Sequence, residues 1–221
     1  MGNRKLPMGN RQSVKSVLIR EIRVLKTIKK HMKKLTIILT AFLVLTAFAT
    51  FDAWKNDKPH SQLGFTITHL GIADISGTFN DFDVTVMSSK PDFSDAVFEL
   101  TTNVASIDTR IEPRNNHLKS ADFFDAEKYP TITFKSTSLK EESKDKFKLT
   151  GDLTMHGITK QVTMDLKYRG TIENPMTKVK TAGFQLTGII NRLDFSIGSK
   201  FPPPMLSDEV IIKADGEFVV K

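Results

Sequence analysis

From residue 50 onward apolar and polar side chains alternate with a period of two, the pattern of strands with one buried face. Leu63, Phe65, Ile67 and His69 alternate with Gly64, Thr66, Thr68 and Leu70. Phe82, Val84 and Val86 follow Gly77 and Phe79, and the change of phase at Asn80-Asp81 predicts a turn or bulge. Ala96, Phe98, Leu100 and Val104 form a third run; Ile132 and Phe134 open a fourth; Phe147, Leu149, Leu153 and Met155 lie on a fifth. His156-Gly157 then supplies a tight turn into Val162, Met164, Leu166 and Tyr168. Phe184, Leu186 and Ile190 make a seventh run, and Val210, Ile212, Ala214 and Phe218 an eighth. The connections at residues 88–91, 141–146 and 173–175 are charged or rich in Gly, Pro, Asn and Ser, as turns require.

Two segments break the alternation. Residues 114–129 carry Asn116, His117, Leu118, Ala121, Phe123 and Phe124 and read as a short helix or ordered loop ending at Tyr129-Pro130. Residues 199–206 contain Pro202, Pro203 and Pro204, which excludes a central strand and predicts a stiff cover or edge segment.

The fold class is therefore all-β. A sheet of eight strands must hide its apolar face and its edges, and an eight-stranded antiparallel up-and-down barrel with one short helical insert does both. A two-sheet sandwich is the alternative. An eight-stranded barrel is either filled by its own side chains or just wide enough for one small ligand.

Charge divides the chain. Residues 1–34 hold eleven Lys and Arg against one acid, Glu21, which leaves 21 basic and 24 acidic residues beyond them. The overall charge of +7 thus belongs to the leader, and nucleic-acid binding by the folded part is rejected. After Met32-Lys33-Lys34, residues 35–48 form an uncharged apolar run, with small residues at Ala47 and Ala49. That order is a signal peptide, with cleavage expected after Ala49 and export to the periplasm as the consequence. The run is short for a membrane span, which takes about 20 residues. Met32 suits a start codon, so residues 1–31 read as a basic leader from an over-long gene assignment, 32–49 as the signal and 50–221 as the domain. The leader has an amphipathic pattern (Val14, Val17, Leu18, Ile22, Leu25, Ile28) that also fits a membrane-surface helix.

With no cysteine, the chain has no disulfide, thiolate nucleophile or cysteine-ligated zinc. It also lacks the G-x-S-x-G, H-E-x-x-H, Walker and G-x-G-x-x-G patterns. A non-enzymatic role is the expectation, and neither a cofactor nor a metal is called for.

Several runs together resemble the YceI family of lipocalin-like, polyisoprenoid-binding bacterial proteins. They begin with Trp54, Asp57, His60-Ser61, Phe65, His69-Leu70 and Gly77-x-Phe79. Ser106-Ile107-Asp108-Thr109, the stretch from His117-Leu118-Lys119 to Phe124-Asp125, and Tyr129-Pro130-x-Ile132-x-Phe134 follow. Gly151-Asp152-Leu153-Thr154-x-His156-Gly157, Asn191-Arg192-x-Asp194-Phe195 and Ser207-Asp208-Glu209-Val210 complete the match. Asn115 stands where an aspartate is usual, and Ser196 replaces a glycine. The resemblance implies a lipocalin-like barrel with a long apolar pore, an isoprenoid lipid such as a quinone or polyprenyl phosphate within it, no catalytic residues, and a periplasmic location.

The chemistry of the chain suits such a pore. Fourteen phenylalanines follow residue 50, against two tyrosines and one tryptophan, and phenylalanine brings bulk with no polar group to satisfy. The residues expected to line the pore are Leu63, Phe65, Ile67, His69, Phe79, Phe82, Phe98, Leu100, Phe134, Leu149, Leu153, Met164, Leu166, Phe184, Leu186, Val210 and Ile212. A self-filled core selects the same residues, so an exported structural or stress-related interaction module is the second reading. A barrel enzyme acting on a small apolar substrate is the third. Gly77, Gly151 and Gly188 either remove bulk from the inward row or mark bends at barrel corners.

His60 and His69 are placed on one side of the first strand, and His60, Arg114 and Arg192 are candidate head-group contacts. About 30 Å of strand separates the two histidines, too far to share a metal ion. Arg192 with Asp194, and Arg114 near Asp122, are expected to fix loops at the barrel mouth. His117 is expected to cap or pack, and His156 to be exposed in its turn. Partners are limited to the lipid and transient membrane contact, with a homodimer through exposed loops left open.

Overall fold

The computed structural model describes residues 19–32 and 51–220. The chain divides into two units, Met1–Ala49 and Thr50–Lys221. In the first, residues 19–32 form helix α1, exposed along its length. The apolar run at 35–48 and the expected cleavage after Ala49 lie outside the described residues.

In the second unit the alternating runs become one antiparallel ladder. Its strands are β1 (Asp52–His69), β2 (Ala73–Phe79), β3 (Phe82–Ser88), β4 (Val97–Asn103), β5 (Ile107–Asp108), β6 (Thr131–Ser143), β7 (Lys146–Met155), β8 (Ile158–Glu173), β9 (Lys180–Asn191) and β10 (Leu206–Val220). β2 and β3 lie one after the other along the same edge of β1, with the break at Asn80-Asp81 where the phase changes. β4 and β5 are likewise one line, interrupted by the 3-10 turn Val104–Ser106. The segments therefore make an eight-stranded barrel, closed where β10 pairs back onto β1 from Trp54↔Val220 to His69↔Leu206. Closure removes the free edges, and the sandwich alternative falls with it.

β1 is longer than its hydrophobic signal. Between Asn56 and Ser61 it bulges outward, so that Phe218 and Gly216 of β10 face positions five residues apart on β1. Here the ladder to β3 is completed by a side chain: Asn56 Oδ1 accepts from the Val84 backbone N–H at 2.7 Å, and its Nδ2 donates to the Phe82 carbonyl.

The two short hairpins at one end of the barrel differ in how well their residues suit the turn. His156-Gly157 has both residues at positive φ (51° and 73°), as a tight hairpin of the primed type demands. A Cβ on Gly157 would sit 2.5 Å from the Tyr129 ring. The β1–β2 hairpin has three residues between paired His69 and Ala73, with Leu70-Gly71 at positive φ (54° and 70°) and the Ile72 N–H closing onto the His69 carbonyl. A left-handed leucine costs on the order of 1 kcal/mol, where asparagine or glycine would cost less.

The barrel has two distinct ends. One holds residues 52, 88–96, 144–145, 174–179 and 220; the other holds the β1–β2 turn, helix α2 (Glu112–Lys119), the 156–157 turn and the 192–205 connection. At the first end, loop 89–96 folds Phe93 into the barrel, 2% exposed. Its ring lies 5.2 Å from Trp54, 5.2 Å from Tyr168 and 5.0 Å from Phe184. Phe184 also packs edge-on against Phe98 and Phe218, both at 5.4 Å. These rings plug the barrel. Asp95 ties the loop down, accepting from the Ser88 and Ser89 hydroxyls and from the backbone N–H of Ser89 and Lys90.

Candidate functional site

Above the plug the barrel encloses a cavity of about 490 Å³. Each side chain placed on the inward row, from Leu63 and Phe65 through Phe134 and Leu149 to Val210 and Ile212, lines it. Within that lining, Phe98, Phe134, Leu149, Leu153, Leu166 and Phe184 are buried against one another. The half-buried members, Leu63, Phe65, Ile67, Leu100, Leu186 and Ile212, face the void. Most of these form a panel across three strands, with Phe65 opposite Ile212 and Ala214 opposite both Leu63 and Leu186. The space lies where β1, β9 and β10 meet with Leu63, Ile67, Leu186, Ile212 and Ala214, while Trp54, Phe93, Tyr168 and Phe184 pack together at the plugged end.

The inward glycines do not create it. A Cβ on Gly151 would lie 2.4 Å from the Phe134 ring and 2.5 Å from the Lys135 carbonyl oxygen. Gly77 gives its place to Phe65 and Thr109, and Gly188 to Met164. Each lets a larger neighbour lie flat on the wall, so the expected link from glycine to void is corrected.

Toward the second end the lining includes His69, Thr109, Arg114, His117 and Arg192, while Ser61, Gln62, Glu99 and Asp215 border it farther from the mouth. Arg192, 3% exposed, directs its guanidinium into the 197–208 loop. Nε donates to the Ser207 carbonyl (2.9 Å), Nη1 to those of Ile197 (2.9 Å) and Gly198 (2.6 Å), and Nη2 to those of Phe201 (2.6 Å) and Leu206. Its carboxylate partner is Asp208 at 3.3 Å, which corrects the expected pairing with Asp194. Burial lowers the Arg192 pKa, the Asp208 charge opposes that shift, and the group remains a cation. With its donors committed to the loop, Arg192 orders the mouth; the head-group role offered for it is corrected.

Arg114 is turned the same way by Thr109 instead of Asp122: Nε donates to Thr109 Oγ1 (2.8 Å) and Nη2 to the Thr109 carbonyl (2.7 Å). Its Nη1 meets no protein acceptor among the described residues, and the side chain lines the cavity. Asn115 holds the same knot. Its Oδ1 accepts from Thr109, and its Nδ2 donates to Asp108 at 3.0 Å, a bond that an aspartate at this position cannot make. Asp122 pairs instead with Lys200 at 2.6 Å, which holds its carboxyl below the usual range, with His117 Nε2 3.5 Å away adding to the effect. His117 packs edge-on against Phe123 (5.0 Å) and Phe201 (5.5 Å), and those two rings stack at 5.0 Å over the cavity. Ser196 takes the left-handed conformation (φ 57°) that a glycine would reach more cheaply.

Two histidine assignments change. Nine residues is an odd separation, so in a period-2 strand His60 and His69 point to opposite faces. His60 stands outside the barrel at the β1 bulge, with Nδ1 2.7 Å from Asp57, a bond that raises its pKa; it takes no part in the cavity. His69 lines the cavity at its mouth. His156 is half-buried rather than exposed: it bonds the Phe195 carbonyl at 3.0 Å and packs on Tyr129 at 4.9 Å. Leu118, Phe201 and Met205 also line the cavity and escaped the sequence reading, because they sit in segments without strand alternation.

A family described as the YceI-like domain matches residues 54–218. Protein YceI of Salmonella arizonae is 38% identical over 180 residues, covering 80% of this chain and 93% of its own. Among solved structures, Burkholderia cenocepacia BcnA superposes with a TM-score of 0.65 at 25% identity, over 73% of this chain and 98% of its own. The Campylobacter jejuni YCEI protein gives 0.62 at 30% identity, over 75% and 96%. A polyisoprenoid binding domain from Saccharophagus degradans shares the fold alone, with a TM-score of 0.58 at 14% identity over 77% of this chain and 99% of its own.

Proposed function

We propose that this chain, which belongs to the YceI-like family, holds an isoprenoid lipid in its barrel and releases it unchanged. The observation that carries the reading is the barrel cavity of about 490 Å³, lined mostly by apolar side chains, with His69, Arg114, His117 and Arg192 toward its mouth. Its volume falls within the range of about 300–1,000 Å³ typical of small-molecule sites. Each methylene moved from water onto such a wall contributes roughly 0.8 kcal/mol, less the chain freedom lost on entry.

A carrier is favoured over a catalyst by what the titratable groups are doing. Arg192 is spent on loop carbonyls, His117 is packed between two rings, and Arg114 is held by Thr109. The tail lies along the panel of Leu63, Phe65, Leu186 and Ile212, with a polar head toward His69 and the free edge of Arg114. One protein of the same fold is described as polyisoprenoid binding, which suits this reading. Export by the residue 32–49 signal puts the carrier in the periplasm, where prenyl lipids need cover from water.

Native mass spectrometry and solvent extraction of protein purified from its own host test the proposal. A co-purifying prenyl lipid is expected in the parent and strongly reduced in Leu100→Lys, which puts a charge in the void. Repeated recovery of empty, folded parent protein, together with failure to take up added prenyl lipid, overturns it and favours the interaction module.

A further inference from the structure

The β1–β2 turn spends strain on exposing hydrophobic groups. Leu70 sits in the left-handed region, yet it is 51% exposed, and Ile72 beside it is 85% exposed. Nothing in the turn geometry calls for either side chain; asparagine and glycine are what this hairpin type selects. The turn leans on the proline-rich connection: the Leu70 N–H donates to the Met205 carbonyl at 3.0 Å, and Gly71 lies against Pro204. Met205 is 46% exposed and also lines the cavity, as does His69 at the foot of the turn. The exposed apolar rim and the cavity wall are therefore one continuous surface at the mouth.

The absence of charge at this rim points to an apolar partner. Residues 70–73 (Leu-Gly-Ile-Ala) and 201–206 (Phe-Pro-Pro-Pro-Met-Leu) contain no charged residue, in a chain where 26% of residues are charged. An uncharged tip of this kind suits the acyl boundary of a lipid bilayer, whose apolar layer begins just below the head groups. We infer that the Leu70–Ile72 turn and the adjoining Met205 dock the mouth of the barrel onto a bilayer surface, so that a lipid passes from membrane to cavity without crossing water. The use of the docking rests on the proposed lipid cargo; the docking itself is measurable without cargo.

The chain contains no cysteine, so a single one can carry an environment-sensitive fluorophore. Ile72→Cys labelled in the full chain is mixed with phosphatidylcholine vesicles, alone and with anionic lipid added. Met176→Cys, 90% exposed on the β8–β9 hairpin at the plugged end, is the control. A blue shift and several-fold brightening at 72, absent at 176 and present without anionic lipid, is expected. No response at 72, or an equal response at both positions, overturns the inference. A double variant, Leu70→Asn with Ile72→Ser, keeps a turn sequence that favours folding. It is expected to slow uptake of prenyl lipid from vesicles several-fold while binding detergent-presented lipid like the parent; unchanged vesicle uptake overturns the inference. A response at 72 from a chain that binds no prenyl lipid in any form keeps the docking and removes the cargo reading.

Discussion

The two ends of the barrel solve opposite problems with different forces. At the plugged end, Trp54, Phe93, Phe98, Tyr168, Phe184 and Phe218 fill the interior ring against ring, and a neighbour's loss is shared among many contacts. At the mouth the rings border the cavity instead: Phe123 and Phe201 stack over it, and Phe65, Phe79 and Phe124 pack along its wall. One buried guanidinium holds a loop of carbonyls in place around empty space. Packing closes one end because it leaves no voids; a polar hub keeps the other open because hydrogen bonds have direction and span a gap.

If this contrast is right, damage should differ in kind as well as in size. Phe184→Ala removes the ring at the centre of the plug and should cost about 3–5 kcal/mol in denaturant unfolding. Arg192→Met keeps the bulk but strands several buried carbonyls, with an expected loss of about 3 kcal/mol. Limited proteolysis should then cut within residues 197–207 while the plug stays intact, and Arg192→Lys should not restore the loop, since an ammonium lacks the fork geometry.

Acid provides a gentler probe of the plug. Burial works to raise the Asp95 pKa, but the Ser88 and Ser89 hydroxyls and two backbone N–H groups together bring it from the ordinary 3.8 down to about 2. A depressed carboxylate stabilises the fold at pH values above 3.8, and that contribution is lost as pH falls toward about 2. Asp95→Asn should therefore be less stable than the parent at neutral pH and show a flatter decline across this window in pH-dependent melting. Smallest of all in stability should be Ile212→Phe, which adds a ring to the void at a cost below about 1.5 kcal/mol. It should nonetheless cut lipid capacity sharply, while Trp54 emission, which reports the plug, stays unchanged.

The wall of the barrel was legible because a period of two puts alternate residues on one face, and that rule needs no knowledge of neighbouring strands. It carried the inward row from Leu63 to Ile212, and it caught the Asn80-Asp81 break as a lost phase. What it could not supply was which gaps are filled. Gly151 looked like missing bulk, but only the pairing of β6 with β7 shows that Phe134 lies across it. Phe93 sits in a turn-like stretch, Ser88-Ser89-Lys90-Pro91-Asp92-Phe93, so its descent into the core depends on the loop's own hydrogen bonds. Arg192 was marked as a loop-fixing cation, but its partners are mostly carbonyls, which every residue carries and no side-chain pattern betrays. Asn56 escaped for the same reason, since it acts as a substitute for backbone.

Trp54 stands opposite Val220 in the pair that closes the barrel, beside the plug. The first and last strands thus begin and finish side by side, at the pole away from the mouth. Attachment of a bead, a dye or a second protein beyond Val220 therefore starts from the pole opposite the opening. A short linker from Val220 to Asp52, in a chain that starts at β1, permits the polypeptide to be reopened elsewhere, for instance in the exposed hairpin at residues 174–179, away from the entrance.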